Sequence, residues 1–249
     1  MIAHRGFSAR APENTLAAVR AALAAGADAV EWDLHVAACG TPVLFHDDTL
    51  DRTTDGTGPV ARASFRALRE RDAGGWFDPA FSGERIPSFA EALEAVRPSE
   101  ATVYPEVKGF RDPQDLDRLV QIVAGAGMTE RTLFISLDFD AVDHLARAAP
   151  KGLRVGYVVA RQADVAEALD RAAGLNPPAL LDLDYRLVLE DPEVVPAIRA
   201  RGPDVAVWTV DDLDDAAALV RSGIRRITTN RVTSMVRWTA GRSAPSPRG

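Results

Sequence analysis

Eight times along the chain, a short run of β-branched and apolar residues is followed by an Ala/Leu/Arg-rich run of helical spacing. The strand-like runs lie near 1–4, 29–35, 102–107, 132–136, 154–158, 179–184, 205–209 and 224–228. The helical runs lie near 13–25, 88–97, 114–125, 138–149, 162–173, 191–201, 211–222 and 231–238. Parallel neighbours cannot be joined by a tight turn, so each strand-to-strand crossover needs a helix. Eight such units predict an α/β chain closed into a (β/α)8 TIM barrel, with an open doubly wound sheet as the alternative. The length of 249 residues suits this, because α/β barrels reach ~250 residues as one domain.

The helical runs carry physical signals. Leu16, Val19, Ala22 and Leu23 form one apolar stripe, and Gly26 stands where a C-terminal cap belongs. Leu213, Ala216, Ala217 and Val220 repeat the stripe. Asp211, Asp212, Asp214 and Asp215 load that helix's first turn, where negative charge complements the helix dipole. Pro192 and Gly202 bracket another helix as a starter and a stop.

One region breaks the rhythm. After the second strand, Pro42-Val43-Leu44-Phe45-His46 reads as the return strand of a hairpin, followed by a long Asp/Thr/Gly/Arg-rich stretch. This predicts a capping insertion over about 47–90, with Trp76, Phe77, Phe81 and Phe89 as its packing residues. The expected organisation is one barrel domain over 1–238 and a disordered Pro/Ser/Gly-rich tail over 239–249.

Composition narrows the function classes. With 29 basic against 36 acidic residues the net charge is −7, which disfavours a nucleic-acid partner. Only two basic residues are lysines, Lys108 and Lys151. A single cysteine, Cys39, allows neither an intrachain disulfide nor a Cys-based zinc site. No run approaches the ~18 apolar residues of a membrane span, so no stable membrane insertion is expected. The opening residues lack a secretory pattern, so a cytoplasmic setting is expected. Oligomeric state is not legible.

In a barrel, chemistry sits where strands end at their C-termini. Those positions carry His4-Arg5, Glu31 and Asp33, His46-Asp47, Glu106 and Lys108, Ser136, Asp182 and Asp184, Trp208-Thr209 and Thr229-Asn230. Glu31 and Asp33 are spaced to share a strand face about 7 Å apart. Glu106 and Lys108 have the same spacing on another strand. If these face the interior, three carboxylates converge into a hard oxygen site suited to Mg²⁺ or Ca²⁺. Otherwise Glu31 and Asp33 face the helix layer in ion pairs. His4 and His46 can supply an acid and a base near neutral pH, or serve as hydrogen-bonded structural groups. Arg5 and Lys108 suit phosphate oxygens, or simply neutralise the neighbouring acids. Trp208 either lines the mouth or belongs to the core. Asp182 and Asp184 share a face in an apolar strand. His35 and His144 read as structural or surface groups, and Cys39 as an incidental thiol.

The residues then resemble a known family, the glycerophosphodiester phosphodiesterases. Ala3-His4-Arg5-Gly6 with Pro12-Glu13-Asn14-Thr15 is similar to its entry signature. Glu31-Trp32-Asp33-Leu34 looks like its metal-binding strand, and Phe45 to Gly58 like its second histidine segment. Asp72 to Phe89 resembles its capping insertion. Pro105-Glu106-Val107-Lys108 resembles its E-x-K strand, and Val207 to Asp212 its late tryptophan strand. The resemblance runs from residue 2 to about 233.

It implies metal-dependent hydrolysis of a small-molecule glycerophosphodiester to sn-glycerol 3-phosphate and an alcohol. Phospholipase D-like cleavage of lysophospholipids on the same barrel is the alternative. By resemblance, Glu31, Asp33 and Glu106 match the ligands of one divalent cation, Mg²⁺ or Ca²⁺. His4 and His46 match the acid/base pair, and Arg5 and Lys108 the phosphate-contacting cations. Trp208 matches a pocket wall, and Glu13 and Asn14 match supporting positions that would orient Arg5 and the first-strand loop. Three departures stand out. Ala37-Ala38-Cys39-Gly40 replaces the family's T-x-D-G turn, Asn230 puts an amide where a carboxylate is commoner, and Ser136-Leu137 stands for Ser-Phe. The first strand is also short, which predicts looser barrel closure.

Overall fold

The computed structural model describes residues 1–243. Its strands are β1 (Ile2–Ala3), β2 (Ala29–Val36), β3 (Pro42–Leu44), β4 (Thr102–Gly109), β5 (Leu133–Ser136), β6 (Arg154–Val159), β7 (Leu180–Asp184), β8 (Val205–Trp208) and β9 (Arg226–Thr229). The helices are α1 (Leu16–Ala24), α2 (Phe65–Arg69), α3 (Phe89–Val96), α4 (Pro113–Gly125), α5 (Phe139–Ala148), α6 (Val165–Gly174), α7 (Tyr185–Glu190), α8 (Val194–Ala200), α9 (Leu213–Arg221) and α10 (Val232–Ser243). Strand order runs β1-β9-β8-β7-β6-β5-β4-β2, and β1 pairs with β2 to shut the ring. Among the described strands only β3 is antiparallel, a hairpin partner of β2. This is the expected (β/α)8 barrel and not the open sheet.

The short first strand does not loosen closure. Ile2 and Ala3 pair with Ala29 and Val30 on one side and with Thr228 and Thr229 on the other. The Ala29 and His4 backbone N–H groups extend the ladders to the carbonyls of Met1 and Thr229.

Alternation along the strands sorts residues into two layers. Val30, Trp32, Leu34, Val103, Val107, Phe134, Leu181 and Val207 pack outward under the helices. Ile2, Ala29, Tyr104, Leu133, Ile135, Val158, Leu180 and Ala206 fill the barrel. Ala29 faces in, so Glu31 and Asp33 face in as well. Tyr104 does the same for Glu106 and Lys108, and Leu180 for Asp182. The helix-layer alternative for Glu31 and Asp33 is thereby removed.

Helix caps follow the polar residues. Thr15, Ser88, Asp112, Asp138 and Asp212 each accept a first-turn backbone N–H, and Ser88 with Glu91 forms a reciprocal capping box. Two helices were not legible. α2 and α7 are too short for a periodic stripe, though Ser64 and Asp184 cap them. α8 begins beyond Pro192 rather than around it. α10 continues to Ser243, into the stretch expected to be tail; residues 244–249 lie outside those described.

The insertion is packed, but not by the expected aromatics. Phe45, Leu50, Val60, Leu68, Ala73 and Ile86 form its own core with Ala37 and Val43. Trp76 is 41% exposed, and Phe77 and Phe81 are half-buried edge-on partners. Phe89 belongs instead to the barrel's outer layer, edge-on to Trp32 and Phe134. Asp72 staples the aromatic loop by accepting from Gly74, Gly75 and Gly83 N–H and the Ser82 hydroxyl.

Because this small core is separate, it can be loosened alone. Leu68→Ala should cost about 2–4 kcal/mol locally. Amide exchange over 45–88 should accelerate while the strands Thr102–Gly109 and Leu180–Asp184 keep their protection.

Candidate active site

β2 and β4 lie side by side with Asp33 opposite Glu106. Ligand oxygens of Glu31, Asp33 and Glu106 lie within 4.8 Å of one another, and all three residues are buried. Three like charges in so small a volume are tolerated only with counter-charges, protons or a cation. Lys108 Nζ sits 2.7 Å from Glu106 and 3.5 Å from Asp33. Arg5 Nε is 3.3 Å from Asp33, and its Nη1 donates to Glu13 at 2.8 Å.

The turn after β1 delivers these contacts. Arg5 has φ 54° and Gly6 φ 78°, a left-handed course that aims the Arg5 N–H at Glu31 Oε2, 2.7 Å away. A Cβ on Gly6 would lie 2.6 Å from the Ala18 carbonyl carbon, so only glycine fits. Asn14, at φ 57°, clamps Asp33: its amide donates to the carboxylate at 2.8 Å and accepts the Asp33 N–H at 3.0 Å. Asparagine tolerates that backbone better than most residues.

Burial, followed by the charges of Asp33 and Glu106, pushes the Glu31 carboxyl well above the usual range. Burial also raises Glu106, outweighing the neighbouring Lys108. Glu31 Oε1 has no hydrogen-bond partner. An orphaned oxygen among converging buried carboxylates fits a hard divalent cation.

The histidines follow β1 and β3, which share the edge of β2 opposite β4. The His4 N–H is fixed by the Thr229 carbonyl, and its Nδ1 lies 2.7 Å from Asn230 Oδ1. The Asn230 amide nitrogen donates to Asp211, so its oxygen faces the ring and receives the Nδ1 proton. Burial, then the Arg5 charge, lowers the His4 pKa. A neutral ring with Nε2 open is the result. His46 follows Phe45, whose N–H is bonded to the Asp33 carbonyl. The His46 Nδ1 lies 2.6 Å from Asp47 Oδ1.

The other expected residues sort cleanly. Glu13 joins Arg5 to Arg52, donors that bring its carboxyl below the usual range despite burial. Trp208 is half-buried against the interior fill, its indole N–H donating to the Asp182 carbonyl at 3.0 Å. Asp184 departs from Asp182, capping α7 and pairing with Arg186. His35 donates its Nε2–H to the His46 carbonyl at 3.1 Å. His144 pairs with Asp117 away from the mouth, and Cys39 is an exposed free thiol. Arg52 was missed. The one available signal was its spacing from Asp47 within Phe45 to Gly58. A hollow of about 310 Å³ lined by Pro150, Leu153, Leu175 and Ala179 lies at the strands' N-terminal ends and has none of these carboxylates or histidines.

Asp182 stands deeper in the barrel with Oδ1 unpartnered. Burial, and secondarily Glu106, raises its pKa to about 8. The folded carboxyl therefore holds its proton where the unfolded one has lost it. Its stability contribution is full below the ordinary value of 3.8 and is lost as pH rises toward about 8. In chelator-treated protein, Asp182→Asn should flatten the fall of unfolding free energy over that window, read by urea titrations at several pH values.

The profile of the family described as "Glycerophosphoryl diester phosphodiesterase family" matches residues 4–234. A glycerophosphodiester phosphodiesterase of Caldanaerobacter subterraneus is 29% identical over 238 residues, covering 95% of this chain and 96% of the relative. A phosphodiesterase of Oleispira antarctica, solved in complex with the product sn-glycerol-3-phosphate, superposes with a TM-score of 0.87 at 29% identity, covering 96% of both chains. The glycerophosphodiester phosphodiesterase of Agrobacterium tumefaciens gives 0.80 at 31% identity, covering 93% of this chain and 96% of that one. Among the described residues no helix is long and apolar enough to cross a membrane. The chain belongs to the glycerophosphoryl diester phosphodiesterase family and is a phosphodiesterase on a (β/α)8 barrel.

Proposed function

We propose that this phosphodiesterase hydrolyses small glycerophosphodiesters to sn-glycerol 3-phosphate and an alcohol, with His4 and His46 as acid and base. The observation that carries the reading is the convergence of Glu31, Asp33 and Glu106 beside Arg5 and Lys108 at one barrel mouth. The product named for the Oleispira relative supports the substrate class. Glu31, Asp33 and Glu106 would hold a Mg²⁺ or Ca²⁺ ion. When bound, such an ion offsets phosphate charge and stabilises the charge that grows in the transition state.

Arg5 and Lys108 flank the carboxylates and orient the phosphodiester by hydrogen bonds to its non-bridging oxygens. One histidine takes the proton of the glycerol hydroxyl adjacent to the phosphoester. That oxygen attacks phosphorus, and the other histidine protonates the departing alcohol oxygen. Water then opens the cyclic phosphate with the histidine roles reversed. Intramolecular attack benefits from a high effective molarity. Trp208 walls the pocket, and Glu13 and Asn14 hold Arg5 and Asp33 in place.

Purified protein with Mg²⁺ or Ca²⁺ should release sn-glycerol 3-phosphate from glycerophosphocholine or glycerophosphoethanolamine. No release from a panel of headgroups with either ion would refute the substrate class. Lysophosphatidic acid formed from lysophosphatidylcholine would move that class to lysophospholipids. His4→Ala and His46→Ala should each lower turnover by about 100-fold or more. Glu31→Gln should shift the cation-dependence curve to higher concentration, which direct calorimetric titration with Ca²⁺ can read without substrate.

A further inference from the structure

His46 is held from two directions. Its Nδ1 meets Asp47 Oδ1 at 2.6 Å, and its backbone carbonyl is bonded by His35 Nε2 at 3.1 Å. Asp47 is in turn gripped by Arg52: Nε lies 2.6 Å from Oδ2 and Nη2 3.2 Å from Oδ1. The other edge of the same guanidinium grips Glu13, with Nη1 2.9 Å from Oε2 and Nη2 2.7 Å from Oε1. Glu13 Oε1 also accepts from Arg5, whose Nε approaches Asp33. A line of charged hydrogen bonds therefore runs from the His46 ring to Arg5, and the Arg5–Asp33 ion pair joins it to the carboxylate cluster.

We infer that Asp47 and Arg52 are positioning residues, which fix the tautomer and ring orientation of His46 for phosphodiester cleavage. The inference rests on the proposed role of His46 and goes beyond it. Asp47 can only accept, so the imidazole proton sits on Nδ1 and Nε2 faces the mouth. Arg52 holds Asp47 charged; its hydrogen bonds, with that of His46, bring the carboxyl down to about 2. A carboxylate that orients a histidine through Nδ1 is an established physical device for keeping Nε2 reactive.

Arg52 is delivered by the insertion. Leu50 is buried in the insertion core, and its carbonyl accepts the Thr54 hydroxyl at 2.7 Å, closing the turn around Arg52. The packing of the insertion thus sets where the guanidinium lies. An isolated exposed ion pair contributes little, and the Arg52 side chain is 45% exposed. What separates it from an ordinary surface pair is its geometry: both edges of one planar fork are engaged, each by a different carboxylate. A lysine, with a single point of charge, cannot span them.

The test is a mutant cycle read by kinetics and spectroscopy. Asp47→Asn, Arg52→Gln and Arg52→Lys are made in the wild-type and His46→Ala backgrounds and assayed on glycerophosphocholine with Mg²⁺. In the wild-type background each should lower kcat by about 10-fold or more with KM changed less than about 3-fold. In the His46→Ala background none should lower it further, because the residues act through that ring. With ¹⁵N-labelled histidine, the His46 Nδ1–H form should dominate in the wild type and give way to a tautomer mixture in Asp47→Asn. Equal losses in both backgrounds, or wild-type turnover in Asp47→Asn and Arg52→Gln, would overturn the inference. Wild-type turnover in His46→Ala alone would instead overturn the role of His46 itself.

Discussion

Three buried carboxylates within reach of one another are the constraint that the rest of the site serves. Glu31, Asp33 and Glu106 face inward because the strands alternate and Ala29 and Tyr104 face inward with them. The barrel cannot turn them outward without exposing Trp32 and Val107 to the interior. It must therefore supply compensation around them. Lys108 comes from the same strand as Glu106, and Arg5 arrives from the turn after β1. Asn14 adds a neutral donor to Asp33. The sum still leaves Glu31 Oε1 unpartnered, an imbalance that a divalent cation would correct.

The backbone bends to meet that constraint. Among the described residues, Arg5 and Asn14 are the non-glycine residues at positive φ, and both touch the carboxylates directly. Such conformations cost energy and persist where surroundings over-determine them. Here Gly6, with Ala18 packed against the space a Cβ would need, lets α1 approach closely enough to hold the turn. The helix stripe, the glycine and the left-handed arginine are one arrangement, and the entry signature Ala3 to Thr15 is its linear trace.

The barrel was legible because its signals are local. Each strand and most helices announce themselves by period, cap or glycine stop, and eight of them close in only a few ways. The three carboxylates were legible for the same reason, since spacing of two on a strand fixes the face. The aromatic residues of the insertion misled because size alone does not say which surface a ring covers. Phe89 lies at the start of a helix that packs on the barrel, whereas Leu50, Val60 and Leu68 have no periodic pattern to mark them as a core. Arg52 was illegible for a related reason: its partners, Glu13 and Asp47, meet it only after the insertion has folded back over the mouth. Asn230 could be flagged as a departure from the family pattern, but its contact with His4 spans the closure of the barrel between β9 and β1.

That departure also separates the two histidines. Asp47 sets a full negative charge against one ring, whereas Asn230 sets only an amide dipole against the other. Asp211 supplies the negative charge on the His4 side, but one residue further out, and spends it on the Asn230 amide and backbone N–H groups and the Thr229 hydroxyl. His4 also has the Arg5 cation beside it, and burial and that charge together favour its neutral form. A carboxylate at position 230 would oppose Arg5 with a full charge; the Asn230 amide opposes it only through its hydrogen bond, and the His4 pKa stays lowered. Both rings are hydrogen-bonded through Nδ1, one to a carboxylate and the other to an amide.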